Sequence, residues 1–449
     1  MGSPRPLSPI STRFFRALLL AGLAARLAVL PLAGTEDVNV WKTWSYAAVS
    51  EGVSRMYGVG GTPPVRAVVS WGERRTTVDY PPVTLYGLAL AGRTYLLRDP
   101  GFRDSRWLTV FIKMPGLIGE MIVCAALFLL LRRVASVDAA RTAVLFYWLN
   151  PAIWLNGAVL GYLDPWTAAP AMLSVLAAVA GLPMLAGALV AIAALTKAQG
   201  LFIEPVTALA LWRSARLARV RSCALAIAGA AVTTAAVLLP YVRAGALPNV
   251  VQGVGALMRH DMLSGTAANL WWVMTWIIRA SYATRDLGAW AAWTRPVRIL
   301  GIRRVVELGY LNPRPFAAAM VIIVAAWAIW RARRGDVVLV LAAGALAVHA
   351  YFVLAVQVHE NHLYLAVPLL AGAAAARPSL RGPFAAVSAI LAANLYLFYG
   401  LGRDVPLPPR TFTVIDATVI VAALNVVTLA WHASRFAALP ESVAATDSR

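Results

Sequence analysis

Apolar runs alternate with short polar breaks along nearly the whole chain, and arginines gather in alternate breaks. Runs of about 14–20 residues recur between Ala17 and Trp431, near the length a helix needs to cross a hydrocarbon core about 30 Å thick. They do not alternate residue by residue, as the strands of a membrane barrel do. The pattern predicts an all-α polytopic transmembrane helical bundle.

The basic breaks orient that bundle, because cytoplasmic loops collect Lys and Arg. Arg5, Arg13 and Arg16 precede the first run, Ala17–Ala33, which is expected to be an uncleaved helix entering from the cytoplasm. Leu32-Ala33-Gly34 has the look of a signal-peptidase site, but cleavage there would remove a crossing and upset the loop charges downstream. Residues 34–107 then form a long first extracytoplasmic loop. It holds an aromatic amphipathic stretch, Val40–Ala47, a Gly/Pro-rich turn around residues 58–64, and Asp79-Tyr80-Pro81-Pro82. Val83–Leu97 reads as an interfacial or re-entrant helix started by two prolines, since a crossing there would put Arg132 and Arg133 outside.

Ile112–Leu131, Thr142–Gly157, Trp166–Ala180, Leu182–Thr196, Gln199–Trp212 and Ser222–Tyr241 then cross in turn. The two beside Lys197 are short, so they are expected to be tilted little or broken at their outer ends. A second large loop region spans 243–314. Either Ala267–Ala280 re-enters there, or a weak crossing lies around Val297–Leu311. Five clear runs follow, from Phe316–Trp330 to Phe412–Trp431, for a total of about 12–14 crossings. Residues 1–439 make one integral-membrane domain without an internal repeat, and residues 440–449 read as a disordered tail.

Composition agrees. Hydrophobic residues make up 60% of the chain and charged residues 13%, against about 25% charged in a soluble domain. The net charge of +20 does not point to nucleic acid, because the cations sit in short loops. They indicate an inner-membrane protein of bacterial type. Cys124 and Cys223 lie in or beside apolar runs, so neither a disulfide framework nor a Cys metal site is expected.

On this map the polar clusters fall on one face, at outer helix ends: Glu36/Asp37, Asp79/Tyr80, Lys113, Asp164, Lys197/Gln199, Arg259/His260 and His359/Glu360/His362. All three lysines, Lys42, Lys113 and Lys197, fall there too. Cations on the face opposite to the charge rule suggest an anionic ligand. Asp37 stands directly at a helix exit, and Lys197 beside Gln199 suits a phosphate, although snorkelling alone would also place a lysine there. His359 and His362 are three apart, but no third ligand adjoins them, so no metal site is expected. Trp41, Trp44, Trp271 and Trp272 could stack on sugars or simply mark an interface. Arg26 and Glu120, both inside apolar runs, read as a structural pair.

The ordered set Glu36-Asp37-Val38, Asp79-Tyr80-Pro81-Pro82, Asn150-Pro151 with Gly161 and Asp164, Thr196-Lys197-Ala198-Gln199, Ala268–Trp272 and Val358-His359-Glu360 resembles the GT-C superfamily of membrane glycosyltransferases. Within it, the set is most similar to the dolichyl-phosphate-glucose-dependent glucosyltransferases of asparagine-linked glycosylation and their bacterial relatives. Three positions depart from that pattern: Ala198, Leu163 before Asp164, and Glu120. The resemblance implies an inverting transfer of a hexose, of the glucose or mannose class, from a polyprenyl-phosphate-linked donor to a glycan or lipid-linked acceptor outside the cytoplasm, without a cofactor. Asp37 takes the position of the catalytic base. Lys197, Arg259 and His359 are expected to bind donor phosphate. Glu36, Asp79, Tyr80, Asp164, Gln199, His260, Glu360 and His362 are expected to contact donor sugar or acceptor. Two other classes compete: a transporter or flippase for a lipid-linked saccharide, which would show repeat symmetry or helices broken at midplane, and a membrane transferase with a lipid-diphosphate donor.

Overall fold

The computed structural model describes residues 10–58, 67–214, 218–257, 260–287, 293–411 and 415–440. Arg5, most of the turn at 58–64, Arg259 and the tail after Pro440 lie outside the described residues. Helices dominate. In chain order they are α1 (Thr12–Val29), α2 (Glu36–Ala47), α3 (Pro82–Leu96), α4 (Arg106–Val134), α5 (Val137–Trp148), α6 (Pro151–Trp154), α7 (Asp164–Val179), α8 (Pro183–Thr196), α9 (Glu204–Ser214) and α10 (Arg219–Arg243). Then come α11 (Leu247–Leu257), α12 (Leu270–Leu287), α13 (Ile302–Glu307), α14 (Pro313–Ala332), α15 (Val337–Leu354), α16 (Ala366–Ala376), α17 (Arg381–Tyr399) and α18 (Ala417–Ala437).

Six described helices are long and apolar enough to cross a membrane, and the α5–α6 run, bent by 48° at Asn150-Pro151, makes a seventh. That is fewer full-length spans than the 12–14 crossings expected. The difference lies in α7, α8, α9 and α16, with 16, 14, 11 and 11 residues, each short of a ~30 Å core, and in α1, whose 18 residues carry Arg13, Arg16 and Arg26. α16 is buried along almost its whole length against α15 and α5, so its neighbours rather than lipid satisfy its surface. The break expected beside Lys197 is present: Lys197 is extended (φ −152°, ψ 137°) between α8 and a 3-10 turn, Ala198–Ile203.

Between the two alternatives for the second large loop, the weak crossing falls away. Val297–Leu311 runs irregularly into the six-residue α13, and Leu263 N–H donates to Leu300 O at 2.8 Å. Ala267–Ala280 instead leads into α12, whose first turn is tied to the ends of α15 and α18 by Trp271 Nε1 to Leu354 O (2.7 Å) and Trp272 Nε1 to Thr418 Oγ1 (2.8 Å). Val83–Leu97 is α3, with Pro81 at its N-cap and Pro82 in its first turn. One element departs from the all-helical expectation. Val68–Trp71 and Arg74–Thr77 pair antiparallel as β1 and β2 through Gly72-Glu73, with Gly72 at φ +58°. Valine, tryptophan and threonine favour strands and glycine supplies the positive φ of a two-residue hairpin, but a window sized for membrane helices passes over four-residue strands.

The arginine-rich ends knit together. Arg141 donates to Ile10 O (2.7 Å), Arg213 to Arg333 O (3.1 Å) and Arg331 to Ala437 O (2.6 Å), while Arg377 pairs with Asp336 at 2.8 Å. Inside the bundle, the expected pair forms: Arg26 Nε lies 2.5 Å from Glu120, with both side chains excluded from solvent. Arg26 also lies 3.7 Å from the Trp148 ring and donates to Trp148 O at 2.8 Å.

Candidate active site

The corner after α1 sets the site. Gly34 turns the chain at φ +72°, and a Cβ there would lie 2.6 Å from Leu160 O, so only glycine fits. Thr35 stands at the N-cap position of α2, and its N–H donates to that same carbonyl at 3.0 Å, its hydroxyl at 3.3 Å. Glu36 and Asp37 therefore occupy the first turn of α2, where the helix N-terminus favours negative charge. Asp37, Trp41 and Trp44 fall on one helical face and line a cavity of about 1680 Å³.

Lys197 reaches the same cavity from the α8 break. Its Nζ lies 2.7 Å from Asp164 Oδ1, in the first turn of α7. Asp164 Oδ2 accepts from Asn361 Nδ2 at 3.0 Å and Asn156 Nδ2 at 3.3 Å. A third wall comes from residues 359–362. Glu360 is buried and accepts from Tyr162 Oη and Thr266 Oγ1, each at 2.6 Å. Thr266 holds φ +68°, a conformation that costs a β-branched residue on the order of 1–3 kcal/mol. His362 takes Gln199 Nε2 at 2.9 Å and faces Tyr351 Oη at 3.3 Å.

The structure thus brings Glu36, Asp37, Asp79, Tyr80, Lys197, Gln199, His260, His359, Glu360 and His362 to one cavity. Asp164 is not among its lining residues: it stands behind Lys197 and holds it, contrary to its expected contact with sugar. Glu36 sits at the rim, 3.3 Å from Arg403 and bonded to Asn39 at 3.0 Å. Burial pushes Asp37 up to about 6, helped by Glu360, opposed by Lys197 and helped again by Asp79 and Asp164. Burial likewise raises Asp79 to about 6. Both carboxylates hold a proton more tightly folded than unfolded, so their contribution to stability is gained as pH falls through about 6 and lost above it. Among the described residues the Asp37 carboxylate takes no hydrogen bond, which leaves it open to the cavity.

Several expectations need correction. Burial holds the His359 imidazole below its ordinary range, so at neutral pH it offers a hydrogen bond rather than a cation. Lys113 and Lys42 do not await an anion. Lys113 donates to Leu32 O (2.6 Å) and Val159 O (2.7 Å), and Lys42 pairs with Asp104 at 2.8 Å. Trp41, Trp44 and Tyr80 pack edge to face on one another, with centroids 5.0 to 5.7 Å apart. Trp41 and Trp44 are 2% and 1% exposed, so their faces are taken and cannot stack on a sugar. Trp271 and Trp272 anchor α12, as above. Sequence reasoning missed Tyr162, Thr266, Asn156 and Asn361. Tyr162 and Asn361 adjoin residues already singled out, whereas Arg403 carried no local signal.

No family model matches the chain, and no curated protein matches it. Among solved structures, it is similar to the Archaeoglobus fulgidus oligosaccharyltransferase, crystallised with a tethered acceptor peptide containing the NVT sequon, at 12% identity and TM-score 0.42, covering 95% of this chain and 55% of that one. It is also similar to ArnT from Cupriavidus metallidurans bound to undecaprenyl phosphate, at 15% identity and TM-score 0.44, covering 93% and 78%. The chain spans about half the length of the oligosaccharyltransferase, 55% of it.

Proposed function

We propose that this protein is an inverting glycosyltransferase that moves a hexose from a polyprenyl-phosphate-linked donor to a hydroxyl of an acceptor outside the cytoplasm. One observation carries the reading. An uncapped carboxylate raised to about 6, Asp37, shares one cavity with Lys197 and the His359–His362 turn. A base needs such a value to work near neutral pH. The arginine-bonded ends lie away from the cavity, and by the charge rule they face the cytoplasm, so the cavity faces outward.

In the reaction, Asp37 takes the proton of the acceptor hydroxyl as its oxygen bonds to the anomeric carbon. The bond from that carbon to the phosphate oxygen breaks and its electron pair stays on the phosphate. Lys197, preorganised by Asp164, and the His359 N–H stabilise the growing charge. Asp79 and Tyr80, on the Asp37 wall, position the acceptor.

The test is transfer by purified protein from a panel of radiolabelled polyprenyl-phosphate sugars to extracted lipid-linked glycans. Absence of transfer from every donor, with saccharide-lipid translocation in proteoliposomes, overturns the assignment. Two further results are expected. The rate rises with pH to a plateau above about 6, following the ionised form of Asp37; an acid limb at the ordinary carboxylate value near 3.8 would detach the rate from that group. Asp164→Asn, which removes the countercharge behind Lys197, lowers kcat/KM for donor by about tenfold, the worth of a charged hydrogen bond. Its KM for acceptor stays unchanged; an equal change in both would mean a general loss of structure.

A further inference from the structure

A groove of about 360 Å³ runs between α1 and α4, floored by Val144 and Trp148 of α5. Arg26–Glu120 pins the two helices at one end of it. At the other end Arg141, on α5, holds the start of α1 through Ile10 O and Thr12 Oγ1. Between these points the lining is side chains such as Leu19, Leu23, Met121 and Phe128, with no charged residue. Leu20 and Met121 are 66% and 48% exposed, so the groove opens sideways toward hydrocarbon.

Its mouth is different. Arg16 stands three, four and seven residues before Leu19, Leu20 and Leu23, on the groove face of α1. Arg132 follows Phe128 by four on α4, with its guanidinium 5.9 Å from the Phe128 ring. Phe15 and Phe128 stack at 6.4 Å, so the two arginines flank one contact. Both are exposed, and neither has an ion pair among the described residues.

We infer that this groove binds an anionic phospholipid, with one acyl chain between α1 and α4 and its phosphate between Arg16 and Arg132. The apolar channel accepts any hydrocarbon chain; the two unpaired cations at its headgroup end select negative charge. The site lies apart from the cavity and does not depend on the proposed transfer.

Native mass spectrometry of the full chain in detergent tests this, with phosphatidylglycerol and phosphatidylcholine of identical chains, and polyprenyl phosphate as a third arm. Phosphatidylglycerol is expected to be retained preferentially. Arg16→Gln and Arg132→Gln should each weaken that preference by about fivefold, and Ala125→Phe, which fills the groove, should displace both phospholipids. Equal retention of the two phospholipids, or a preference untouched by the arginine variants, overturns the inference. So does polyprenyl phosphate displacing phosphatidylglycerol from the wild type but not binding Ala125→Phe, which would assign the groove to a different lipid.

Discussion

Asp37→Asn is expected to lower transfer by about two to four orders of magnitude, the contribution of a positioned general base. The amide keeps the shape and the place in the first turn of α2 but cannot accept the acceptor proton. Stability should move the opposite way. Asp37 is half-buried; its desolvation, Glu360, Asp79 and Asp164 raise the cost of its negative charge, and Lys197 offsets only part of that. The neutral variant should therefore melt above the wild type at pH 7–8. That gain should fade as pH falls through about 6 and vanish below the ordinary value of 3.8, where the wild type is protonated too. A damaged fold would lower activity and melting point together, so the paired measurement separates chemistry from structure. Donor binding by the variant should persist. Near-normal turnover would remove Asp37 from the base's role.

Glu120→Ala is expected to cost about 3–5 kcal/mol, because it leaves Arg26 charged and excluded from solvent without its partner. The site cannot absorb the loss with water. The Arg26 and Glu120 side chains are 0% and 1% exposed. The Arg26 guanidinium is already committed to Gly22 O, Trp148 O and the Trp148 ring. A Cβ at Gly157 would run into Glu120 Oε1, so the chain is shaped around the carboxylate. Replacing both residues, as Arg26→Met with Glu120→Leu, should recover most of the loss. Unfolding in detergent compares the three proteins; a single variant within 1 kcal/mol of wild type, the range of a surface pair, would show that the pair is not what holds α1 to α4.

That pair was legible in the sequence because Arg26 and Glu120 are opposite charges inside apolar runs, where each needs a partner. The gathering of Asp37, Lys197 and His359 followed from the charge rule, which needs only the order of runs and loops. What escaped was anything settled by contacts distant along the chain. Whether Lys113 meets a phosphate or three carbonyls depends on where Leu32, Ala158 and Val159 lie, and no local pattern carries that. The same holds for Asp164, which pairs with Lys197 33 positions away and with Asn361 197 positions away. The β1–β2 hairpin was lost to scale, since its signal spans too few residues to show against runs of membrane length.

The corner at Gly34 has a consequence for how the protein is made. Arg403 N–H donates to Gly34 O at 3.0 Å, and Ala33 N–H donates to Asp404 Oδ2 at 2.8 Å. The Arg403 side chain reaches Glu36, 367 residues earlier. At about 5–20 residues per second of synthesis, the ribosome needs on the order of 20–70 s to deliver the second half of that clasp after the first. A nascent copy therefore sits in the bilayer with the Gly34 corner unfastened, and closes it only when the segment bearing Arg403 has been threaded and seated.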